Sequence, residues 1–248
     1  MLENKVALIT GSSRGIGHDV ARLYLENKAN VVICGSKLEN AEKTVEEFIA
    51  MGFDRNNMLP VGVDMSSAES IRTAVEEVIK KFGRIDILVN NAGITGTTSL
   101  LELSDEELEK MFNINVFGLL KMTREVVKHM KEYGGSIINT SSMVGINGGR
   151  NQVAYASSKF AVNGITVSLA KELGMYNIRV NAVAPGAVNT DMMKSEVSDE
   201  MKNMLINLTP LRRVAELNDL SGAYLYLASD YALFTTGTII KVDGGLLI

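Results

Sequence analysis

Val6-Ala7-Leu8-Ile9-Thr10-Gly11-Ser12-Ser13-Arg14-Gly15-Ile16-Gly17 decides how this chain is read. Four apolar residues end in a turn whose glycines are spaced G-x-x-x-G-x-G, and helical spacing begins at Ile16. Glycine permits a tight turn, and its missing side chain lets a backbone approach a pyrophosphate. The N-terminus of the following helix offers unpaired N–H groups and the positive end of a dipole. The spacing differs from the G-x-G-x-x-G of the common dinucleotide fingerprint. Its place between a strand and a helix still predicts a dinucleotide turn, with Gly11, Ser13, Arg14, Gly15, Ile16 and Gly17 around the phosphates.

Outward from this turn, short apolar runs alternate with helical periodicity. The runs are 6–9, 31–33, 59–63, 85–89, 136–139, 178–182 and 238–242, and the helical segments are 16–27, 38–50, 67–82, 105–131, 153–173 and 216–228. Continuous apolar runs suit parallel strands covered on both faces. The alternation predicts an α/β fold: a doubly wound, parallel, seven-stranded sheet of Rossmann type, in a single domain. Pro185 and Pro210 are read as lying between periodic segments. The least regular stretch, 187–213, follows the sixth strand and is expected to cover a substrate.

Composition excludes several functions. The 248 residues are 46% hydrophobic and 22% charged, an ordinary globular mix. A net charge of −4 argues against a general grip on nucleic acid. One cysteine, Cys34, and two histidines, His18 and His129, cannot build a Cys- or His-based metal site. No apolar run is long enough for a membrane span, and the N-terminal residues have no signal-peptide shape, so a cytoplasmic protein is expected.

Strand two ends in Val31-Val32-Ile33-Cys34-Gly35-Ser36-Lys37. A fold preferring NAD places an acid near here for the ribose 2′-hydroxyl. No acid is present in this stretch. Ser36, Lys37, Ser13 and Arg14 instead suit a 2′-phosphate, so NADP(H) is expected over NAD(H).

Further motifs extend this reading. Asn90-Asn91-Ala92-Gly93 ends strand four, Asn113-Ile114-Asn115-Val116 follows it, and Ser142 precedes Tyr155-Ala156-Ser157-Ser158-Lys159. Tyr155 and Lys159 lie four apart and share a helix face. A nearby ammonium would lower the phenol pKa from about 10, making an acid/base for a carbonyl/alcohol pair. Ser142 can hydrogen-bond the substrate oxygen.

With Pro185-Gly186, Thr190-Asp191 and Val242-Asp243-Gly244-Gly245 in order behind them, these motifs make the chain resemble the short-chain dehydrogenase/reductase family. The resemblance implies hydride transfer between the nicotinamide and a substrate carbonyl carbon, with Asn115, Ser142, Tyr155 and Lys159 as the catalytic set. It implies that Tyr155 exchanges the proton, that Lys159 also binds the nicotinamide ribose, and that Asn115 holds a water. Asp64 and Met65 would face the adenine. Asn91, Ala92 and Gly93 would line the adenosine ribose, and Pro185, Gly186, Val188 and Thr190 would hold the nicotinamide.

Two subfamilies are similar: the β-ketoacyl-carrier-protein reductases and the bacterial hydroxysteroid dehydrogenases. The resemblance therefore implies as substrate a hydroxysteroid or bile acid, or a 3-oxoacyl thioester, with another bulky ketone left open. Gly96-Thr97 stands where the former carry an Arg-Asp pair, which argues against a carrier protein. Residues 95–99, 143–147, Asn151, Met192 and Met193 are charge-poor and are expected to face the substrate. A second class, a sensor or scaffold that binds NADP without chemistry, would lack the Asn/Ser/Tyr/Lys set. The resemblance also implies a homotetramer pairing helices 105–131 and 153–173, the latter through Ala161, Gly164, Ser168 and Ala170.

Overall fold

The computed structural model describes residues 1–190, 193 and 198–246. Among them, seven strands form one parallel sheet in the order β3-β2-β1-β4-β5-β6-β7. They are β1 (Val6–Ile9), β2 (Asn30–Gly35), β3 (Met58–Gly62), β4 (Ile87–Asn90), β5 (Gly135–Thr140), β6 (Ile178–Pro185) and β7 (Ile239–Val242). Successive strand residues point to opposite faces. Ala7, Ile9, Val31 and Ile33 thus enter one core, while Val6, Leu8, Val32 and Cys34 enter the other.

Helices α1 (Gly15–Glu26) and α2 (Leu38–Ala50) cover the first face, with α9 (Leu217–Ala228) beside α1. Helices α3 (Ala68–Phe82), α5 (Leu119–Met130) and α7 (Val153–Leu173) cover the second. Ser67 and Ser104 cap α3 and α4 (Asp105–Phe112) through side-chain oxygens, and Ser104 forms a capping box with Glu107. Gly83 ends α3 at φ 77°, in the left-handed region that glycine tolerates.

Four expectations need correction. Segment 105–131 is not one helix: the π-helical turn Asn113–Gly118 separates α4 from α5. Pro185 is the last residue of β6, paired with Val242, and does not lie between elements. It closes a strand whose next N–H, that of Gly186, bonds to Val242 O. The stretch 187–213 is not wholly irregular, since it contains α8 (Asp199–Leu208), capped by Ser198. Ala170 faces the protein's own core and is unavailable to a partner helix, whereas Phe160, Gly164 and Ser168 are exposed. A short helix, α6 (Val144–Asn147), also follows β5.

The chain runs outward from β1 to β3, then crosses back to β4. The crevice at that reversal, outside the carboxyl ends of β1 and β4, is where doubly wound folds bind ligands. The glycine turn and Asn91–Gly93 both lie there. No helix among the described residues is long and apolar enough to cross a membrane.

Candidate active site

The glycine turn is held by the ends of three strands. Ser12 Oγ donates to Ile9 O (2.7 Å) and accepts from Cys34 N (2.8 Å), tying the turn to β2. Thr10 Oγ1 accepts from Asn91 N and Ala92 N at 3.0 Å each, tying it to β4. The Asn91 amide donates to Thr10 O and Gly11 O, both at 3.1 Å. Gly11 has φ 64°, and a Cβ there would stand 2.9 Å from Ala92 Cα, so both its backbone angle and its surroundings require glycine.

Helix α1 starts after Arg14 with no side-chain cap and no acid in its first turn. An uncapped N-terminus beside a glycine turn suits a phosphate, so the residues present fit a dinucleotide. Arg14 and Lys37 are exposed at the starts of α1 and α2, and among the described residues neither is bonded to a carboxylate. Ser13 is half-buried and Ser36 exposed. Ile16 packs on the core from the first turn of α1.

Beyond β3, the exposed Asp64 carboxylate accepts from Ser66 Oγ (2.7 Å) and Ser66 N (2.9 Å), bonds that hold it below the usual carboxylate range. Met65 is buried in the second core, so of this pair only Asp64 presents its side chain at the surface.

The catalytic candidates converge at the ends of β4 and β5. Lys159 is 5% exposed and donates through Nζ to Thr140 O at 2.8 Å. Burial lowers its pKa from 10.5 to about 8. Its Nζ lies 5.7 Å from the Tyr155 ring centroid. A Cβ on Gly93 would stand 3.6 Å from this ammonium and 3.1 Å from Asn115 Oδ1, which brings the loop after β4 against both.

Tyr155 is half-buried beside Ser142. Burial pushes its phenol above the ordinary value, and the Ser142 hydroxyl opposes this by hydrogen-bonding to it. The expected lowering by Lys159 is therefore not what this arrangement produces. Desolvation dominates, and the group that favours phenolate is the serine.

Asn115 also has a bracing role within the protein. It lies on the π-helical turn, is 2% exposed, and its side chain is spent within the protein. Oδ1 accepts from Ile94 N and Nδ2 donates to Ile94 O, both at 2.8 Å, while Ser158 Oγ lies 3.1 Å from Nδ2. Ser158 Oγ donates to Tyr155 O at 2.7 Å. The side chain thus staples the loop after β4 to α7. π-Turns frequently occur at functional sites.

On the far side, Met143 N donates to Pro185 O (2.9 Å), and a Cβ on Gly186 would stand 2.7 Å from Asp243 Cα. Val188 pairs with Ala215 in an isolated bridge, which closes the base of the loop carrying α8. Thr190 Oγ1 accepts from Met193 N at 3.2 Å. Asp191 and Met192 lie outside the described residues.

A cavity of about 170 Å³ opens between the loop after β4 and α4. Ile94, Thr95, Gly96, Met111, Asn151 and Gln152 are among its lining residues. Ile94 and Met111 both touch Asn115 as well. Sequence reasoning missed Thr10, Ser12, Thr140 and Ser158, which position the named groups. The available signal was a hydroxyl residue at each strand end or one helical turn from a candidate.

A family model described as Enoyl-(Acyl carrier protein) reductase matches residues 11–247. The chain belongs to the short-chain dehydrogenase/reductase family. It is 43% identical over 247 residues to a 3alpha-hydroxysteroid dehydrogenase of Mediterraneibacter gnavus, covering 98% of this chain and 97% of that one. It is 40% identical over 248 residues to the 3-oxoacyl-[acyl-carrier-protein] reductase FabG of Thermotoga maritima, covering 100% and 99%. A solved 7 alpha-hydroxysteroid dehydrogenase, complexed with NADH and 7-oxo glycochenodeoxycholic acid, superposes with a TM-score of 0.94 at 33% identity, covering 99% and 95%. This short-chain dehydrogenase/reductase is thus an oxidoreductase related to hydroxysteroid dehydrogenases and to FabG, in a family that uses NAD(P)(H).

Proposed function

We propose that this short-chain dehydrogenase/reductase is NADP(H)-dependent and interconverts a ketone and a secondary alcohol on a hydroxysteroid or bile acid, with Tyr155 as the acid/base. The observation that carries the reading is the cluster of Ser142, the Tyr155 phenol and the buried Lys159 ammonium beside a glycine turn. When bound, the nicotinamide supplies the two-electron donor or acceptor. Gly11, Gly15, Gly17 and the uncapped start of α1 would hold the phosphates, and Arg14, Ser36 and Lys37 the adenosine end. Lys159 would hold the nicotinamide ribose, with Pro185, Gly186, Val188 and Thr190 at the ring.

Tyr155 gives its proton to the carbonyl oxygen during reduction and takes it back during oxidation. Ser142 donates to the same oxygen and holds it against the phenol. The Lys159 ammonium stands 5.7 Å from the ring centroid of the tyrosine that gives up the proton. The loop that the Val188–Ala215 bridge closes, and that carries α8, would cover the substrate. The cavity beside Asn115, apolar at Ile94, Leu103 and Met111 and charged at Glu107 and Lys110, would accept part of the substrate's body.

The steroid reading is supported by the hydroxysteroid dehydrogenases among the relatives and by Gly96-Thr97 in the loop after β4. The FabG relatives favour a 3-oxoacyl thioester as the second reading. A sensor or scaffold without chemistry is disfavoured, since Asn115, Ser142, Tyr155 and Lys159 are all in place. A cytoplasmic homotetramer, packed through the exposed side of α5 and α7, completes the proposal.

The test is turnover of oxo bile acids and of 3-oxoacyl thioesters, each with NADPH and with NADH. Tyr155→Phe keeps the ring's packing and removes the proton donor. Turnover should fall by roughly two orders of magnitude or more while cofactor affinity is nearly unchanged. Near-normal turnover in that variant removes the tyrosine from its role.

A further inference from the structure

A line of buried hydroxyls joins α9 to the cofactor cleft. Tyr24 and Tyr224 are both fully buried. Tyr24 donates to Tyr224 O at 2.9 Å and so ties α1 to α9. The Tyr224 hydroxyl lies 2.9 Å from Thr140 Oγ1, which lies 3.4 Å from Asn91 Oδ1. The acceptors around this line fix its proton positions. Asn91 Nδ2 faces the carbonyls of Thr10 and Gly11, so the amide must present N–H to them and its oxygen to Thr140. Thr140 therefore donates to Asn91 and has only lone pairs left for Tyr224. Tyr224 is the donor, and burial keeps its phenol protonated at any working pH.

Thr140 is also the residue whose carbonyl accepts from Lys159. Its side chain and its backbone thus serve the two halves of one cleft. With the Tyr224 hydroxyl gone, Thr140 Oγ1 loses the shorter of its two side-chain bonds and is held in this orientation only by the 3.4 Å bond to Asn91. Once Thr140 turns away, the Asn91 amide keeps its two N–H bonds to the glycine turn, but its oxygen loses the donor that steadies the side chain against that turn. With one of its three bonds gone the side chain is less firmly fixed, and the turn it holds through Thr10 O and Gly11 O is fixed less firmly with it.

We propose that Tyr224 is a positioning residue, whose hydroxyl acts through Thr140 to hold the Asn91 amide against the glycine turn that receives the cofactor. The inference rests on the cleft being the NAD(P)(H) site. It concerns the turn common to both cofactors and is independent of which is preferred.

The experiment compares Tyr224→Phe with Tyr24→Phe, titrating cofactor-free enzyme with NADPH and with NADH and recording thermal melts. Both variants lose one buried phenol hydrogen bond, so both melt lower. Tyr224→Phe should raise Kd for both cofactors by about five- to tenfold, one hydrogen bond's worth, while Tyr24→Phe stays within about twofold. In turnover, KM for cofactor should rise by more than kcat falls. Thr140→Val should match Tyr224→Phe, the double variant should be no weaker than the weaker single, and Thr140→Ser should restore binding. Should Tyr224→Phe fail to fold, the Thr140 pair carries the same comparison. Three results overturn the proposal: wild-type Kd in Tyr224→Phe despite a lower melt, equal Kd losses in the two tyrosine variants, or additive losses in the double variant. Wild-type protein that binds neither cofactor overturns the reading of the cleft itself, a result distinct from these three.

Discussion

Replacing Lys159 with Met should stabilise the cofactor-free protein while removing its activity. The magnitude follows from burial. The pKa of Lys159 falls from 10.5 to about 8 because desolvation penalises the ammonium. At about 1.4 kcal/mol per pH unit, holding the charge at neutral pH costs roughly 3 kcal/mol. Methionine keeps most of the side-chain volume and carries no charge. It also leaves Thr140 O without its donor, which returns about 1–2 kcal/mol. The net gain is about 1–2 kcal/mol, or roughly 2–8 °C in Tm for a chain of this size. The gain must also depend on pH. Between pH 8 and 10.5 the unfolded chain keeps the lysine proton and the folded protein does not. Wild-type stability therefore rises with pH across that window, and the advantage of Lys159→Met shrinks. Tyr24, Tyr155 and Tyr224, with phenols raised by burial, act in the opposite sense above about pH 10. They are common to both proteins and cancel in the difference. Thermal melts of the two proteins without cofactor, near pH 7 and at about pH 9.5, measure the effect. A variant that is less stable near neutrality, with a gap that does not change with pH, would refute the argument that burial sets the state of Lys159.

Two further outcomes follow from the same geometry. Ser142→Ala removes the bond that favours phenolate, so the pH–rate profile of alcohol oxidation should move to higher pH; an unmoved profile would separate Ser142 from the titration of Tyr155. Ser36→Asp should reduce a preference for NADPH over NADH by about tenfold, by offering an acceptor to the ribose and repelling a 2′-phosphate; kcat/KM with both cofactors measures it. Gly35 is not an equivalent position, because a Cβ there would stand 2.7 Å from Lys37 O.

The sheet was legible because its signal is dense. Runs such as Val6–Ile9 are buried on both faces, and alternation with helices leaves few topologies. Helix ends were less legible: Ser67 and Glu216 continue the helical spacing yet act as caps. The π-turn was invisible because Ile114 and Val116 fit the apolar pattern of an unbroken helix, and one extra residue in a turn leaves no trace in composition. Helix α8 could have been found from Ser198 and the spacing of Met201, Met204, Leu205 and Leu208. At the site, sequence named Ser142, Tyr155 and Lys159, which the structure brings together, and misjudged their electrostatics. Proximity of Lys159 to Tyr155 follows from i, i+4 spacing, but the burial that decides both pKa values depends on the loop after β4 and on Thr140, distant in sequence.

The two ends of the cleft are built on different physical terms, and this bears on how one scaffold serves several substrates. At the catalytic end, Asn115, Lys159 and Thr140 are buried, and each is bonded to a second element. A change there disturbs packing and chemistry together. At the adenosine end, Arg14, Ser36 and Lys37 are exposed and lie on no core contact. A substitution among them alters the charge met by the ribose at little cost to the fold. The cavity beside Asn115 is intermediate. Thr95, Gly96 and Asn151 sit on loops, while Ile94 and Met111 also brace Asn115. Loop positions can therefore change the shape offered to a substrate without moving the catalytic cluster, whereas Ile94 and Met111 cannot change without reaching it. If the proposed function holds, this division would put substrate discrimination in the loop residues and leave the Ser142, Tyr155 and Lys159 cluster common to relatives with differently named substrates.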